Sequence, residues 1–261
     1  KKVIGTEILY NCRSRNIEVT STRLKPNTKF YVFMDNIDIT SYCVPKLLQV
    51  SMTRGTFATG DIVESSTEVT NLLGFAETPD IMFRVATENH KTGPFNAPTE
   101  TYKNEPYTKS ALSGSYSSSS TILNIDTAGL ALEVEPNQLG WVRKGMTLAS
   151  QNGNAEADIS DLSLVTDEKG ALTFSLHIPD PKVQSNPKFT TGTNTIRLTT
   201  SPTNESKLDP GECSAEATYK ASGIGEITQE QILSIKTANV ERKQIGDARV
   251  LSRMRTETER N

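Results

Sequence analysis

The sequence WVRKGMTLASQNGNAEADISDL, at Trp141–Leu162, carries the clearest structural pattern of the chain, and FATGDIVES at Phe57–Ser65 repeats it in shorter form. In both segments a Gly follows a short strand, and apolar residues then return at every second position, as Met146 and Leu148 do around Thr147. A period of two is typical of half-buried strands, and Gly allows the positive φ that a tight hairpin needs. The two segments therefore predict β-hairpins in an all-β chain.

The composition favours a construction element over an enzyme. Hydrophobic residues make up 35% and aromatic residues 6% of the 261 residues, both low for a compact enzyme. The net charge of −3 gives no general attraction for nucleic acid or for an anionic membrane, and no apolar run is long enough to span a bilayer. We expect neither nucleic acid nor a membrane as a partner.

The cysteines and histidines show no pattern of a chemical site. Cys12, Cys43 and Cys213 are widely spaced without a CxxC motif, so we expect structural thiols and synthesis in a reducing compartment. The only two histidines, His90 and His177, stand near none of them; we expect a turn contact for His90, and for His177 a position facing solvent or a neighbouring sheet. No catalytic, cofactor or metal residue is predicted. A glycosidase pair of distant carboxylates stays open as the weakest alternative.

Further strands are predicted on both sides of the middle of the chain. Lys29–Asp35 (KFYVFMD) is the strongest of them, apolar on both faces, and LSLVTDEKGALTFSLHI predicts a hairpin around the turn Asp167–Gly170. Pro45 lacks a donor, so its strand is predicted to be an edge strand or to begin after it.

These patterns predict a division of the chain into three parts. Residues 1–50 and 162–223 are predicted to form a β-sandwich, which encloses an inserted β-subdomain at 51–161. Residues 224–261 are predicted to form a C-terminal arm, extended or helical, that docks on another chain. The arm's candidate contact residues are Val240, Ile245, Arg249, Val250, Leu251, Arg253 and Met254.

A long irregular stretch at 88–120 interrupts the inserted part. Its prolines and tyrosines favour an ordered loop laid over a neighbouring surface, because a structureless run of this length is uncommon in a compact domain. Tyr102, Tyr107 and Tyr116 are the candidate partner contacts in this loop, and we expect a partner chain to bury them.

Several longer motifs resemble one family of proteins. They are RSRNI, LKPNTKFYVFMD, TSYCVPKLL, NHKTGPFNAPTETY, SYSSSSTILNID, TDEKGALTFSLHIPDP, FTTGTNTIRLTTSPTN and AEATYKASG, which together span most of 12–223. The chain in these motifs resembles the large virion structural proteins of contractile-tailed bacteriophages, especially those that infect cyanobacteria.

The resemblance implies a function without catalysis. It implies a β-rich module of a tail, baseplate or fibre-associated protein, made in the host cytoplasm and located in the virion. Other virion structural proteins would be its partners, in a homo-oligomer or a larger assembly. The alternative is a receptor- or glycan-binding module of a tail fibre, in which the loop 88–120 would be the contact surface. No catalytic or metal-binding residue comes with the resemblance.

Overall fold

A computed structural model of the chain describes residues 2–65, 81–131, 140–207 and 209–229. The regular secondary structure of the described residues is almost entirely β-strand, with one short α-helix, α1 at Thr127–Ala131, and a 3-10 helix at Thr40–Tyr42. The strands are β1 Lys2–Ile8, β2 Arg15–Ser21, β3 Lys29–Met34, β4 Ile37–Asp38, β5 Cys43–Pro45, β6 Leu47–Gly55, β7 Ile62–Ser65, β8 Met82–Arg84, β9 His90–Thr92, β10 Glu100–Thr101, β11 Ile122–Asn124, β12 Thr147–Ser150, β13 Ala155–Asp161, β14 Leu164–Val165, β15 Leu172–Ile178, β16 Gly192–Thr199, β17 Ser214–Ala221 and β18 Ile224–Gln229. The all-β prediction is confirmed.

A six-stranded antiparallel sheet contains the segment that predicted the fold class. Its strand order is β11-β6-β13-β12-β7-β8, and β12 and β13 form a hairpin within the predicted segment. The hairpin turns at Gly153, which has a φ of 72°, and not at Gly145, which precedes β12. One face of this sheet is buried in a first core, to which most of its strands contribute. The largest fully buried side chains of that core are Leu48, Ile81, Phe83, Leu123, Ile125, Leu148 and Ile159.

The FATGDIVES segment does not form a hairpin, which corrects the prediction. The turn is present, with Gly60 at a φ of 95° and Asp61 accepting a hydrogen bond from the Ala58 amide at 2.8 Å. The strands on its two sides are not neighbours, because the β12–β13 hairpin lies between β6 and β7. The turn therefore carries the chain across that hairpin.

Two further sheets share a second core, as predicted for a sandwich. One has the order β14-β3-β16-β17, with β4 also paired to β3, and the other has the order β2-β15-β5. Phe30, Val32 and Met34 of β3 are fully buried in this core, with Phe174 of β15 beside them. On the opposite face of β3, Phe33 is only 5% exposed, so this strand is buried on both faces there, as predicted.

The arms that flank the Asp167–Gly170 turn belong to different sheets, so the predicted hairpin is wrong. β14 pairs with β3, whereas β15 pairs with β2 over its whole length and with β5 on its other side. The turn itself forms, because Asp167 accepts backbone hydrogen bonds from Lys169 and Ala171 and Gly170 has a φ of 73°. It carries the chain from one sheet to the other.

The strand break at Pro45 is confirmed. Pro45 ends β5, an edge strand, and β6 begins after it at Leu47 in the six-stranded sheet. The strands of that sheet all come from 47–161, and those of the other two sheets come from 15–45 and 164–221. Residues 7–225 form one compact unit, and whether the inserted part is a separate domain stays a prediction.

The predicted arm is described only at its beginning. Residues 224–229 form β18, which pairs with β1 of the same chain, so this part is a strand with an intramolecular partner. Val240, Ile245, Arg249, Val250, Leu251, Arg253 and Met254 lie outside the described residues. Within the ranges that are described, no helix has the length and apolar character to cross a bilayer.

Candidate functional site

The loop 88–120 is held on its own chain by the buried side chain of Asn124, in β11. The Asn124 amide donates hydrogen bonds to the backbone oxygens of Glu88 at 3.1 Å and His90 at 2.7 Å, and its side chain is fully buried. The carbonyl oxygens of a loop need partners when water is excluded. Asn124 supplies two of them and fixes the start of the loop to the six-stranded sheet.

Two buried carboxylates shape the rest of the loop. Glu88, 9% exposed, accepts hydrogen bonds from the backbone amide and the hydroxyl of Ser113, each at 2.8 Å. Glu105, 3% exposed, accepts from the amides of Tyr107 at 2.5 Å and Thr108 at 2.6 Å, and also from the Thr108 hydroxyl. Both carboxylates replace missing backbone partners, which is the usual reason for a carboxylate to be buried beside a turn.

The three loop tyrosines face this chain. Tyr102 is 7% exposed, the Tyr107 hydroxyl donates to the Leu47 oxygen at 2.6 Å, and the Tyr116 hydroxyl donates to the Ala86 oxygen at 2.5 Å. Burial, above other causes, raises the pKa of each phenol well above its ordinary value. The expectation that a partner chain buries these side chains is wrong, because their own sheet does so. Contact of their remaining exposed parts with a partner stays a prediction.

A second polar cluster surrounds Asn16, a fully buried residue of β2. Its amide nitrogen donates to the Gly140 oxygen at 2.8 Å and to the Ser175 hydroxyl at 2.9 Å. Its amide oxygen accepts from the Gly140 nitrogen at 2.9 Å and lies 3.1 Å from Nδ1 of His177. One side chain thus satisfies both backbone groups of Gly140 and ties that residue to the β2–β15 sheet.

His177 is a packing residue of this cluster. Its ring stacks on Trp141, with centroids 4.9 Å apart and an interplanar angle of 19°, and only 4% of the residue is exposed. Burial lowers its pKa to about 4, because the protonated ring would lose its hydration. The ring is therefore neutral at pH 7 and does not face solvent. It packs on Trp141, which lies outside the strands, and not on a neighbouring sheet, the other position that the sequence predicted.

Lys46 is another buried polar group that joins separate segments. Its Nζ donates to the Ile125 oxygen at 2.8 Å, and the residue is 3% exposed. Burial lowers its pKa to about 8, against the opposing effect of the nearby Asp126 and Glu18 carboxylates. A small cavity beside it, of about 10 Å³, also borders Tyr102 and holds no more than one water.

An ion pair connects the loop to the turn between the two sandwich sheets. Nζ of Lys91, in β9, lies 2.8 Å from the Asp167 carboxylate and 3.2 Å from that of Glu100. The Lys91 bond lowers the pKa of Asp167, in the direction opposite to the effect of its partial burial. Asp167 therefore orders its own turn and holds the start of the loop beside it.

The remaining candidates for chemistry have local roles. Nε2 of His90 lies 2.9 Å from the Gly93 oxygen, which confirms the predicted turn contact. Cys12 and Cys43 are buried free thiols, as predicted, and Cys213 is half-buried. In the part of the chain that the structure describes, no three His, Cys, Asp or Glu side chains are grouped as a metal site requires.

Comparisons with protein-family models, with curated proteins and with solved structures find no match for this chain. The geometry of the described residues is therefore the basis for a functional conclusion, beside the resemblance of the sequence motifs.

Sequence reasoning did not identify the residues that fasten the loops. Asn124 lies between Leu123 and Ile125 in TILNID, and a polar amide between apolar neighbours is a pattern that could have indicated it. Asn16 lies between Arg15 and Ile17 in RSRNIEV, so the sequence carries no such signal for it. Glu105 and Lys46 each adjoin a proline, which has no backbone donor. Lys46 supplies a side-chain donor to the Ile125 oxygen, whereas Glu105 accepts from backbone amides, so the proline could have indicated Lys46 alone.

Proposed function

We propose that this chain is a non-enzymatic structural module of a bacteriophage tail, at the baseplate or near a fibre, and that it holds neighbouring virion chains together. The phage assignment is supported by the sequence motifs that resemble tail proteins, and the structural role by the geometry. In this proposal the chain is part of a larger assembly whose other members are virion proteins.

The observation that supports the structural role is that the buried polar side chains bond backbone groups of this chain. Asn16, Lys46, Glu88, Glu105 and Asn124 each bond the backbone of another segment or of the adjoining loop. Side chains that catalyse need a face open to substrate, whereas these are 9% exposed or less. Their bonds make the long loop a fixed part of the surface, which suits a protein that must present the same contacts in every copy.

The glycan-binding alternative depended on tyrosines available to a ligand. The hydroxyl groups of Tyr107 and Tyr116 are bonded to backbone oxygens of this chain, and Tyr102 is buried. Glycan sites usually offer an exposed aromatic face with polar groups around it. The tyrosines therefore favour a structural module over a receptor- or glycan-binding module.

Localisation tests the proposal. A lysate of cells that produce the chain would be separated on a density gradient, and the fractions would be probed with antibodies against the chain. The same antibodies would label the particles for immunogold electron microscopy. We expect the protein to co-sediment with tailed particles and the gold to label the tail. A protein found only in the fraction free of particles would contradict the proposal. Antibodies against a head protein of the same particles are the matched control for the position of the label.

A further inference from the structure

β17 leaves one of its two sides unpaired. It is the edge strand of its sheet and pairs with β16 along all eight of its residues, and among the described strands none pairs with its other side. The side chains on its outer face are all exposed; they are Ser214, Glu216, Thr218 and Lys220. Long exposed edges of this kind are templates for pairing with another chain unless something covers them.

The backbone groups of β17 that face outward can be assigned from its neighbour. Thr195 of β16 bonds on the side away from β17, because its oxygen accepts from the Asp35 amide at 3.0 Å and its amide donates to the Asp35 carboxylate at 2.8 Å. Thr195 stands opposite Thr218, and opposite residues of an antiparallel pair either exchange both backbone bonds or turn both groups outward. Thr218 therefore directs its amide and carbonyl to the free side, and by alternation so do Glu216 and Lys220.

The charges on this edge are complementary to themselves. When two copies of β17 run antiparallel with Thr218 opposite Thr218, every outward backbone group meets another outward group. The same register places Glu216 of each copy directly opposite Lys220 of the other, which gives two ion pairs across the two-fold axis. Registers centred on Glu216 or on Lys220 would instead bring like charges together.

We propose that β17 joins two copies of this chain, edge to edge, into a two-fold dimer with a continuous sheet across the axis. Glu216 forms an ion pair with Arg197 of β16 at 3.6 Å, and its side chain is 59% exposed, so it remains accessible to Lys220 of a second copy. The strand β2 is also an edge strand, but the Thr127 hydroxyl of α1 donates to its Glu18 carboxylate at 2.6 Å, so a helix already contacts it. This dimer deepens and rests on the proposed role in holding neighbouring chains together.

Sedimentation velocity of the full chain over a concentration series tests the dimer. Thr218→Pro removes the outward amide without removing a bond to β16, and we expect it to raise the dissociation constant at least tenfold. Thr218→Ala keeps the amide and is the matched control, with an expected change of less than twofold. Circular dichroism of each variant verifies that the fold is retained.

Charge reversal tests the register. Glu216→Lys and Lys220→Glu each turn both ion pairs into like-charge contacts, and we expect each variant alone to dimerise about tenfold more weakly. An equimolar mixture of the two variants restores opposite charges at both positions, so it is expected to form heterodimers with near wild-type affinity. This recovery is specific to a self-pairing strand.

The outcomes separate this dimer from the proposed function. A wild-type chain that stays monomeric at all concentrations, or a dimer that neither Thr218→Pro nor charge reversal weakens, would overturn the β17 contact. Such a result would leave a localisation in phage tails untouched. Conversely, a β17 dimer formed by a protein that is absent from phage particles would support this contact and overturn the proposed function.

Discussion

Replacing Asn16 by Ala should cost a large part of the chain's stability. The substitution removes a fully buried side chain that makes hydrogen bonds to both backbone groups of Gly140, to the Ser175 hydroxyl and to His177. A buried group that loses its partner costs about 1–3 kcal/mol, and water can enter part of the vacated space. We therefore expect the free energy of unfolding to fall by about 3–5 kcal/mol.

Trp141 provides the assay for this prediction. It is the only tryptophan and stacks on His177, so its fluorescence reports on the segment that Asn16 holds. Urea unfolding would be followed by this fluorescence and by far-ultraviolet circular dichroism. Asn96→Ala removes an exposed asparagine of the loop and is the matched control, with an expected change within about 0.5 kcal/mol. A loss below about 1 kcal/mol for Asn16→Ala would refute the fastening role of this side chain.

Three further predictions concern the core, the pH dependence and the loop. Phe33→Ala should lower the free energy of unfolding by about 3–5 kcal/mol, because the ring is buried on the second face of β3; an unchanged melting temperature would exclude it from the packing. The pKa of His177 is near 6.5 in the unfolded chain and about 4 in the folded chain. Its neutral ring therefore stabilises the fold fully above pH 6.5, and this stability is lost as the pH falls towards 4. The free energy of unfolding should fall by about 2 kcal/mol between pH 7.5 and 5. His177→Gln should flatten that part of the stability profile, and an unaltered profile would contradict the folded pKa. Trypsin should leave the loop 88–120 intact in the folded chain despite its exposed lysines; rapid cleavage there would show that the Glu88 and Glu105 bonds do not order it.

The strands could be predicted where one or both faces are apolar and the pattern is local. KFYVFMD became β3, and Trp141–Leu162 contains the β12–β13 hairpin, although it turns at Gly153 and not at the Gly before Met146. Pairing could not be predicted in the same way. The arms of the Asp167–Gly170 turn alternate as hairpin arms do, yet each pairs with a strand far away in sequence, because alternation specifies a buried face and not a neighbour.

The candidate site was less accessible to sequence reasoning. The tyrosines of the loop 88–120 were predicted as contacts for a partner chain, whereas the hydroxyl groups of Tyr107 and Tyr116 bond carbonyl groups of their own chain. The direction of a phenol depends on which carbonyl group lacks a partner, and a sequence does not show this. Asn16 bonds Gly140, which is 124 positions away. Contacts at that separation depend on how the sheets are arranged, and local patterns carry no information about them.

A cryo-electron microscopy reconstruction of tailed particles from cells that produce this chain tests the structural role most directly. We expect density in the tail into which residues 7–225 fit as one unit, with a neighbouring virion chain against its surface and a second copy along β17. A tail whose density is fully accounted for by other chains, with no copy of this fold, would contradict the assignment of this protein as a structural module of the virion.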